Sequence, residues 1–290
     1  MVQLSALSEE QFARFAKLVY SRAGIHLPAE KRSLLSNRLR RRMRALHLDS
    51  FDEYYDILAA ASTSEEELPH FLNVVTTNET YFFRNTQLWR MFTDRLLPDF
   101  IAKHGNKSKR LRIWSAASSS GEEAYTIALI LREKLPDFHS WRVEVIGSDI
   151  SRNMLERASK GIYNAYALSK TDAAIKTKWF TKDGENFRLA DEVRKLVKFQ
   201  FHNLRDAFPQ RDFDLVLLRN VLMYFDTPMK KLAVANTAAA VAPGGYLYIG
   251  DVDPTRTSAE LMGVMKLQPQ TPGLYHRPAA PAASAFAKNG

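Results

Sequence analysis

The stretch Trp114-Ser115-Ala116-Ala117-Ser118-Ser119-Ser120-Gly121-Glu122-Glu123 decides the fold. It leaves a short strand, Leu111-Arg112-Ile113-Trp114, and opens a helical run from Glu122 to Leu135 that Pro136 stops. Strand, small-residue loop and helix in this order let a ligand approach the backbone closely at the first crossover of a parallel sheet. A phosphate loop would continue after the glycine with Lys and Ser or Thr. Glu122 and Glu123 stand there instead, and their charge repels phosphate at short range. Paired carboxylates suit a cationic ligand, such as the α-ammonium and sulfonium of S-adenosylmethionine. They also complement the dipole of the helix they open, and within the loop these two readings weigh evenly.

Moving outward, the same alternation continues. Val143 to Ser148 forms a second strand that ends at Asp149, the position where doubly wound folds put an acid for ribose hydroxyls. Asp149 is equally placed to cap a helix beginning near Ser151. Phe213 to Leu218 is a nearly all-apolar strand, as expected where helices cover both sheet faces. A helix from Asp226 to Val241, closed by Pro243-Gly244-Gly245, leads to a further strand from Tyr246 to Gly250. The expected fold class is therefore α/β, a Rossmann-like parallel sheet with crossover helices. The strict Gly-x-Gly-x-x-Gly spacing of dinucleotide enzymes is absent. Gly161 to Lys198 interrupts the pattern as a polar, turn-rich inserted β-subdomain, and 277–290, rich in Pro and Ala, reads as a disordered tail.

Residues 1–75 read as an all-helical domain, joined through a linker and connecting helix (76–107) to the catalytic domain (108–276). The domain holds ten Lys/Arg and ten Asp/Glu, but the charges are segregated. Lys31, Arg32, Arg38, Arg40, Arg41, Arg42 and Arg44 follow one another without an acid. On the helix after Pro28, Leu35, Leu39, Met43 and Leu46 share an apolar arc, and Lys31, Arg38, Arg41 and Arg42 form a basic stripe beside it. Such a stripe fits an acidic partner or is a solvated face. The chain has no cysteine, which excludes disulfides, thiolate metal sites and thiol nucleophiles. It shows neither a signal pattern nor an apolar run long enough to cross a bilayer. A cytoplasmic monomer without membrane insertion is the expectation.

Taken as an ordered series, the motifs resemble the chemotaxis receptor methyltransferase family, CheR. The likeness covers nearly the whole chain. It runs through Thr76-Thr77-Asn78-Glu79-Thr80-Tyr81-Phe82-Phe83-Arg84, then Trp114 to Ala128, then Gly147-Ser148-Asp149-Ile150-Ser151. Asn203-Leu204, Asp214 to Phe225 and Gly244-Gly245-Tyr246-Leu247 complete it. The resemblance implies transfer of methyl from S-adenosylmethionine to the γ-carboxylate of glutamates on chemoreceptor cytoplasmic helices, leaving S-adenosylhomocysteine. It implies that Asn78, Thr80 and Arg84 contact the cofactor or line the transfer site, that Glu123 holds the ammonium and Asp149 the ribose. Asn203, Leu204, Arg219 and Asn220 would enclose the adenosyl part, with Arg84 and Tyr224 at the point of transfer. Arg38, Arg41 and Arg42 would bind the receptor. Two departures stand out: Gly250-Asp251-Val252-Asp253 replaces the usual Gly-His-Ser-Glu. The stretch Lys182 to Asn186 is shorter than the glycine-rich loop of members that dock on a receptor pentapeptide.

The inventory fits that chemistry. A glutamate side chain ordinarily titrates at ~4.3 and is already a nucleophile at neutral pH, so no general base, Ser-His-Asp set or metal cluster is needed. The site must position the carboxylate and strip water. Arg84 can orient a carboxylate bidentately without losing its proton, or it can fasten the linker through an ion pair. Tyr224 stands at the site or packs. The rivals are a nucleic-acid methyltransferase and a non-catalytic cofactor-binding module. Against the first, cytosine C5 methylation lacks its cysteine, and no Pro-Pro motif for amine methylation exists; nucleic acid is not an expected partner.

Overall fold

The computed structural model describes residues 6–250 and 261–279. Four helices come first: α1 (Glu9–Ala23), α2 (Arg32–Ala45), α3 (Phe51–Ala59) and α4 (Ala61–Val75). Ser8 caps α1 in a reciprocal capping box with Gln11, and Gly24 ends it in the left-handed conformation. Ser50 caps α3 through its hydroxyl, which accepts from the Asp52 N–H. Phe15, Val19, Leu39, Met43, Tyr54, Leu58 and Phe71 meet in one core, with Phe15 ringed by Phe51, Tyr54, Tyr55 and Phe71. The apolar arc read from the sequence is thus the buried face of α2.

The linker leads through α5 (Thr86–Met91), one wide turn (Phe92–Leu96) and α6 (Leu97–His104) into the catalytic domain. There β1 (Arg110–Ala116), α7 (Glu122–Lys134), β2 (Arg142–Asp149) and α8 (Arg152–Lys160) follow the expected alternation. The insertion comprises β3 (Ile162–Tyr163), α9 (Ala173–Trp179), β4 (Phe180–Asp183), β5 (Asn186–Leu189) and α10 (Asp191–Arg194). The main sheet resumes with β6 (Val197–Phe201), β7 (Phe213–Arg219), α11 (Thr227–Ala239), β8 (Val241–Gly250), β9 (Gln268–Thr271) and β10 (Leu274–His276).

The seven strands order as β6-β2-β1-β7-β8-β10-β9, and the insertion forms its own antiparallel sheet β3-β5-β4. The first five are parallel, and β10 runs antiparallel to both β8 and β9. From β1 the chain crosses to β2 on one side and later to β7 on the other. The crevice beyond the carboxyl ends of these strands is where open α/β sheets bind ligands.

Four boundaries differ from the sequence reading. Pro243-Gly244-Gly245 does not close the helix, which ends at Ala239; it lies inside β8, beside an irregularity in the β7–β8 register. Gly244 has φ +74, and a Cβ on Gly245 would stand 2.8 Å from the Phe213 carbonyl, so this glycine pair makes a bend against β7. The inserted subdomain stops before Val197, because β6 pairs with β2 in the main sheet. The hairpin β9–β10 leaves no mark in the sequence pattern, since Gln268-Pro269-Gln270-Thr271 is exposed throughout and has no apolar alternation. Finally, Arg277 continues the pairing of β10 with β8, where its main chain bonds Gly244 and Gly245. Residues 280–290 of the expected tail, and Asp251-Val252-Asp253, lie outside the described residues.

The two domains meet at the crevice. The Ile25 backbone bridges Phe225, and the His26 N–H donates to the Tyr224 carbonyl at 2.8 Å. Tyr20 donates to Asp226 at 2.9 Å, Ser151 to Asn73 at 2.9 Å, and Asn203 to the Arg22 carbonyl at 2.7 Å.

Candidate functional site

A cavity of about 470 Å³ opens over the carboxyl ends of β1, β2 and β7, within the ~300–1,000 Å³ usual for small-molecule sites. Its wall draws on the Ala23–Arg38 region, the linker Val75–Arg84, Trp89 of α5, the loop Ala117–Ser119, Glu123 of α7, the ends of β2 and β6, and Arg219–Phe225. Asn78, Thr80, Arg84, Glu123, Asp149, Asn203, Leu204, Arg219, Asn220 and Tyr224 all lie along it. Arg38 does too, whereas Arg41 and Arg42 do not.

The loop after β1 owes its shape to strained backbone. Ala117 and Ser119 take φ of +59 and +51, and Gly121 takes +91. Such conformations cost about 1–3 kcal/mol each for residues other than glycine and cluster where a site requires them. Here they turn the Ser119 N–H onto Asp149 Oδ2 at 2.8 Å. Oδ1 of Asp149 accepts from the Ser151 N–H at 2.8 Å, while Ser151 itself caps α8. Asp149 therefore ties the cofactor loop to the end of β2. Burial pushes its pKa up, against the backbone donors that favour the anion. A carboxylate has about four acceptor sites, so Asp149 retains acceptor capacity for a ligand hydroxyl beside its backbone donors.

The paired acids part company. Glu122 is buried under the loop, outside the cavity wall, with both oxygens on the Ser120 hydroxyl. Burial raises its pKa as well. Glu123 faces the cavity: Oε1 accepts from Ser115 at 2.7 Å and Oε2 from Arg219 Nη1 at 2.6 Å. This ion pair leaves side-chain exposures of only 13% and 3%. Arg219 also reaches the Arg84 carbonyl at 3.4 Å, so one guanidinium links the acid of α7 to the linker. Nothing in the spacing of Glu123 and Arg219 foretells the pair, because parallel neighbours β1 and β7 create it.

Arg84 donates Nη1 to the Glu79 carbonyl at 2.8 Å and lies 5.7 Å from the Tyr81 ring centre. Among the described residues no carboxylate forms a salt bridge with it, and its hold on the linker runs through a backbone carbonyl. Asn78 turns its amide to Thr76 (3.0 Å), and its carbonyl accepts from Ser119 at 3.3 Å. Asn203 binds the N-terminal domain through Arg22, and Leu204 is buried against the Trp114 cluster. Asn220 adopts φ +53 just after β7, and Tyr224 closes the short turn Leu222–Tyr224.

The basic stripe divides. Arg42 turns inward: Nε and Nη2 grip Glu67 at 2.8 and 2.5 Å, and Tyr54 donates to the same carboxylate at 2.7 Å. It is a structural cation, and its placement among receptor contacts is corrected accordingly. Arg38 donates to the Val75 carbonyl at 2.5 Å and to Thr77 at 2.8 Å, pinning α2 to the linker. Arg41 remains exposed.

Two wall residues carry a feature that the sequence does not mark, His202 having drawn no reading at all and Ser118 only as part of the loop. Ser118 Oγ and His202 Nε2 are buried without a hydrogen-bond partner, and both residues border the cavity. Burial lowers the His202 pKa and keeps the ring neutral, edge-on to Trp114 and Phe208. No periodicity marks such residues, since only their neighbours across the sheet leave them unpartnered. Orphaned polar atoms, an ordered acid at the end of β2 and a second acid at the start of α7 suit a polar, cationic nucleoside ligand. Among the described residues no set of three or more His, Asp or Glu forms a metal-holding group, and no helix is long and apolar enough to cross a membrane.

Sheet order, crevice and acid placement define a Rossmann-like α/β domain with a nucleoside-sized site, fronted by a helical domain. Comparison with known proteins narrows the class. Residues 78–270 match the family model described as CheR methyltransferase, SAM binding domain, and residues 10–76 the one described as CheR methyltransferase, all-alpha domain. This chain belongs to the CheR methyltransferase family. It is 34% identical over 241 residues to the probable chemotaxis protein methyltransferase of Rhizobium etli, covering 80% of this chain and 88% of that one. Identity to chemotaxis protein methyltransferase 2 of Vibrio cholerae is 31% over 277 residues, 94% of each. With the chemotaxis protein methyltransferase of Salmonella typhimurium it is 35% over 256 residues, 86% of this chain and 85% of that one.

Proposed function

We propose that this enzyme methylates the γ-carboxylate of glutamates on the cytoplasmic helices of chemoreceptors, giving methyl esters. The observation that carries the reading is Arg84, a guanidinium on the cavity wall that no carboxylate of the described chain neutralises. Bound S-adenosylmethionine supplies an electrophilic methyl on a sulfonium. The chain's own residues then have three tasks. Glu123, held rigid between Ser115 and Arg219, offers a fixed acid to an ammonium, and Asp149 offers lone pairs to ribose hydroxyls. Asn78, Thr80, Asn203, Leu204, Arg219 and Asn220 complete the cofactor wall. Arg84 orients the incoming carboxylate, and Tyr224 borders the point of transfer while the Ile25–Leu27 strip helps to exclude water.

A protein acceptor is favoured over nucleic acid. Phosphate backbones are held by a run of outward cations, and here Arg42, within the run, is turned inward onto Glu67. Arg41 and the cavity-side Arg38 remain the proposed receptor contacts. The setting is the cytoplasm and the acting species a monomer. A receptor pentapeptide tether is not required, because β4 and β5 join through only Gly184 and Glu185, with Asp183 paired to Asn186.

The test is incubation with methyl-labelled S-adenosylmethionine and either receptor cytoplasmic fragments or RNA. Base-labile label on the receptor supports the reading, and label confined to RNA overturns it. Binding of a receptor C-terminal pentapeptide to the full protein would refute the tether-free part alone.

A further inference from the structure

The mouth of the cavity carries groups that methyl transfer itself does not use. Leu34 on α2 and Met223 beyond β7 border it as large apolar side chains left 43% and 53% exposed. Lys31, Arg38 and Arg84 supply cations along the same wall. Of the wall's three carboxylates among the described residues, Glu123 and Asp149 are bonded inward; Glu79 alone is exposed.

Glu79 is joined to Arg84 without neutralising it. Arg84 Nη1 takes the Glu79 carbonyl at 2.8 Å, while the Glu79 carboxylate turns away and accepts the Tyr166 hydroxyl at 2.9 Å. Tyr166 lies edge-on to Tyr81, ring centres 6.2 Å apart. The carboxylate is thereby fixed on a small aromatic shelf next to the guanidinium, and its second oxygen points to no donor among the described residues.

We propose that Glu79 is a specificity-determining residue that selects acceptor helices carrying Lys or Arg one turn from the modified glutamate and disfavours an acid there. The inference rests on the receptor-helix reading above. On a helix, side chains three and four apart lie about 5–6 Å from each other. An acceptor carboxylate held at Arg84 therefore brings one such neighbour over the residue whose carbonyl Arg84 grips. A cation there meets the anchored Glu79 carboxylate. An acid meets like charge there, which is discrimination by repulsion as much as by attraction.

The test uses receptor helices in which the residues four before and four after a single acceptor glutamate are Lys, Gln or Glu. Base-labile methyl incorporation gives kcat/KM for each, and calorimetry gives cofactor affinity. The wild type is expected to rank Lys above Gln above Glu by about two- to five-fold per step, the range open to exposed charge pairs. Glu79→Gln flattens the ranking and Glu79→Lys inverts it, with cofactor affinity unchanged in both. An identical ranking in all three proteins, or equal rates on all helices in the wild type, overturns the inference and leaves receptor methylation standing. If the wild type methylates none of the helices, the receptor reading falls and this inference with it.

Discussion

Replacing Arg42 by alanine separates folding from docking on α2. Arg42 grips Glu67 through two nitrogens, at 2.8 and 2.5 Å, and Tyr54 donates to the same carboxylate. Side-chain exposures are 21% for Arg42 and 7% for Glu67, and Tyr54 is fully buried. The alanine variant strands a buried carboxylate with one neutral donor. Removing one partner of a fully buried ion pair costs about 3–5 kcal/mol. Arg42 keeps a water-facing edge, so about 2–4 kcal/mol is expected, a fall in thermal midpoint of about 5–15 °C for a whole chain of this size melting as one unit. The pair Arg42→Met with Glu67→Leu removes both charges and should recover most of the loss, because apolar replacement of a buried pair is near neutral. Arg41→Glu, on the exposed neighbour, should leave the midpoint within about 1–2 °C while lowering receptor methylation. Thermal melts followed by circular dichroism, with methylation assayed at 20 °C, measure both. An unshifted midpoint for Arg42→Ala, or a double variant no better than the single, would refute the assignment of Arg42 to the core.

Gly147→Ala should disturb the cofactor loop from behind, since the new Cβ would stand 2.5 Å from the Phe199 ring and 2.8 Å from Ser118 Oγ. A stability loss of about 1–3 kcal/mol and weaker S-adenosylmethionine binding by calorimetry are expected; unchanged binding would argue against that packing. Asp149→Asn places an amide against the N–H of Ser119 or Ser151, so cofactor affinity should drop at least about tenfold, consistent with losing a charge-assisted bond; retention of wild-type affinity would remove Asp149 from the site. His202 has a pKa lowered by burial from 6.5, so the unfolded chain binds the extra proton first as pH falls. Stability should accordingly decline below about pH 6.5, and His202→Leu should flatten that decline in urea titrations at pH 5 and 7; an identical slope would exclude His202 as its source.

How much is legible follows from which forces act locally. The loop Trp114–Glu123, the parallel alternation and the buried arc of α2 are written in adjacent residues, because apolar period and glycine position depend only on the chain itself. The capping serines at 8, 50 and 151 are also local features, since a cap answers to the amide two or three residues away, although the sequence reading offers Asp149 as the cap of α8. The candidate site is recoverable as a set through its resemblance to a family, and the cavity gathers all ten of its cofactor and transfer residues.

What the residues do to one another is settled only in three dimensions. Lys31, Arg38, Arg41 and Arg42 share a stripe in sequence, yet Arg42 finds Glu67 25 residues away and Arg38 finds the end of α4. Glu122 and Glu123 are neighbours, but the helix turns one under the loop and the other toward Arg219, 96 residues on. Pro243-Gly244-Gly245 reads as a stop and instead bends a strand, because β7 presses on Gly245. Pattern fixes which faces are buried. Charge partners, orphaned atoms and the walls of a cavity depend on where distant segments land, and that information resides in the packed sheet.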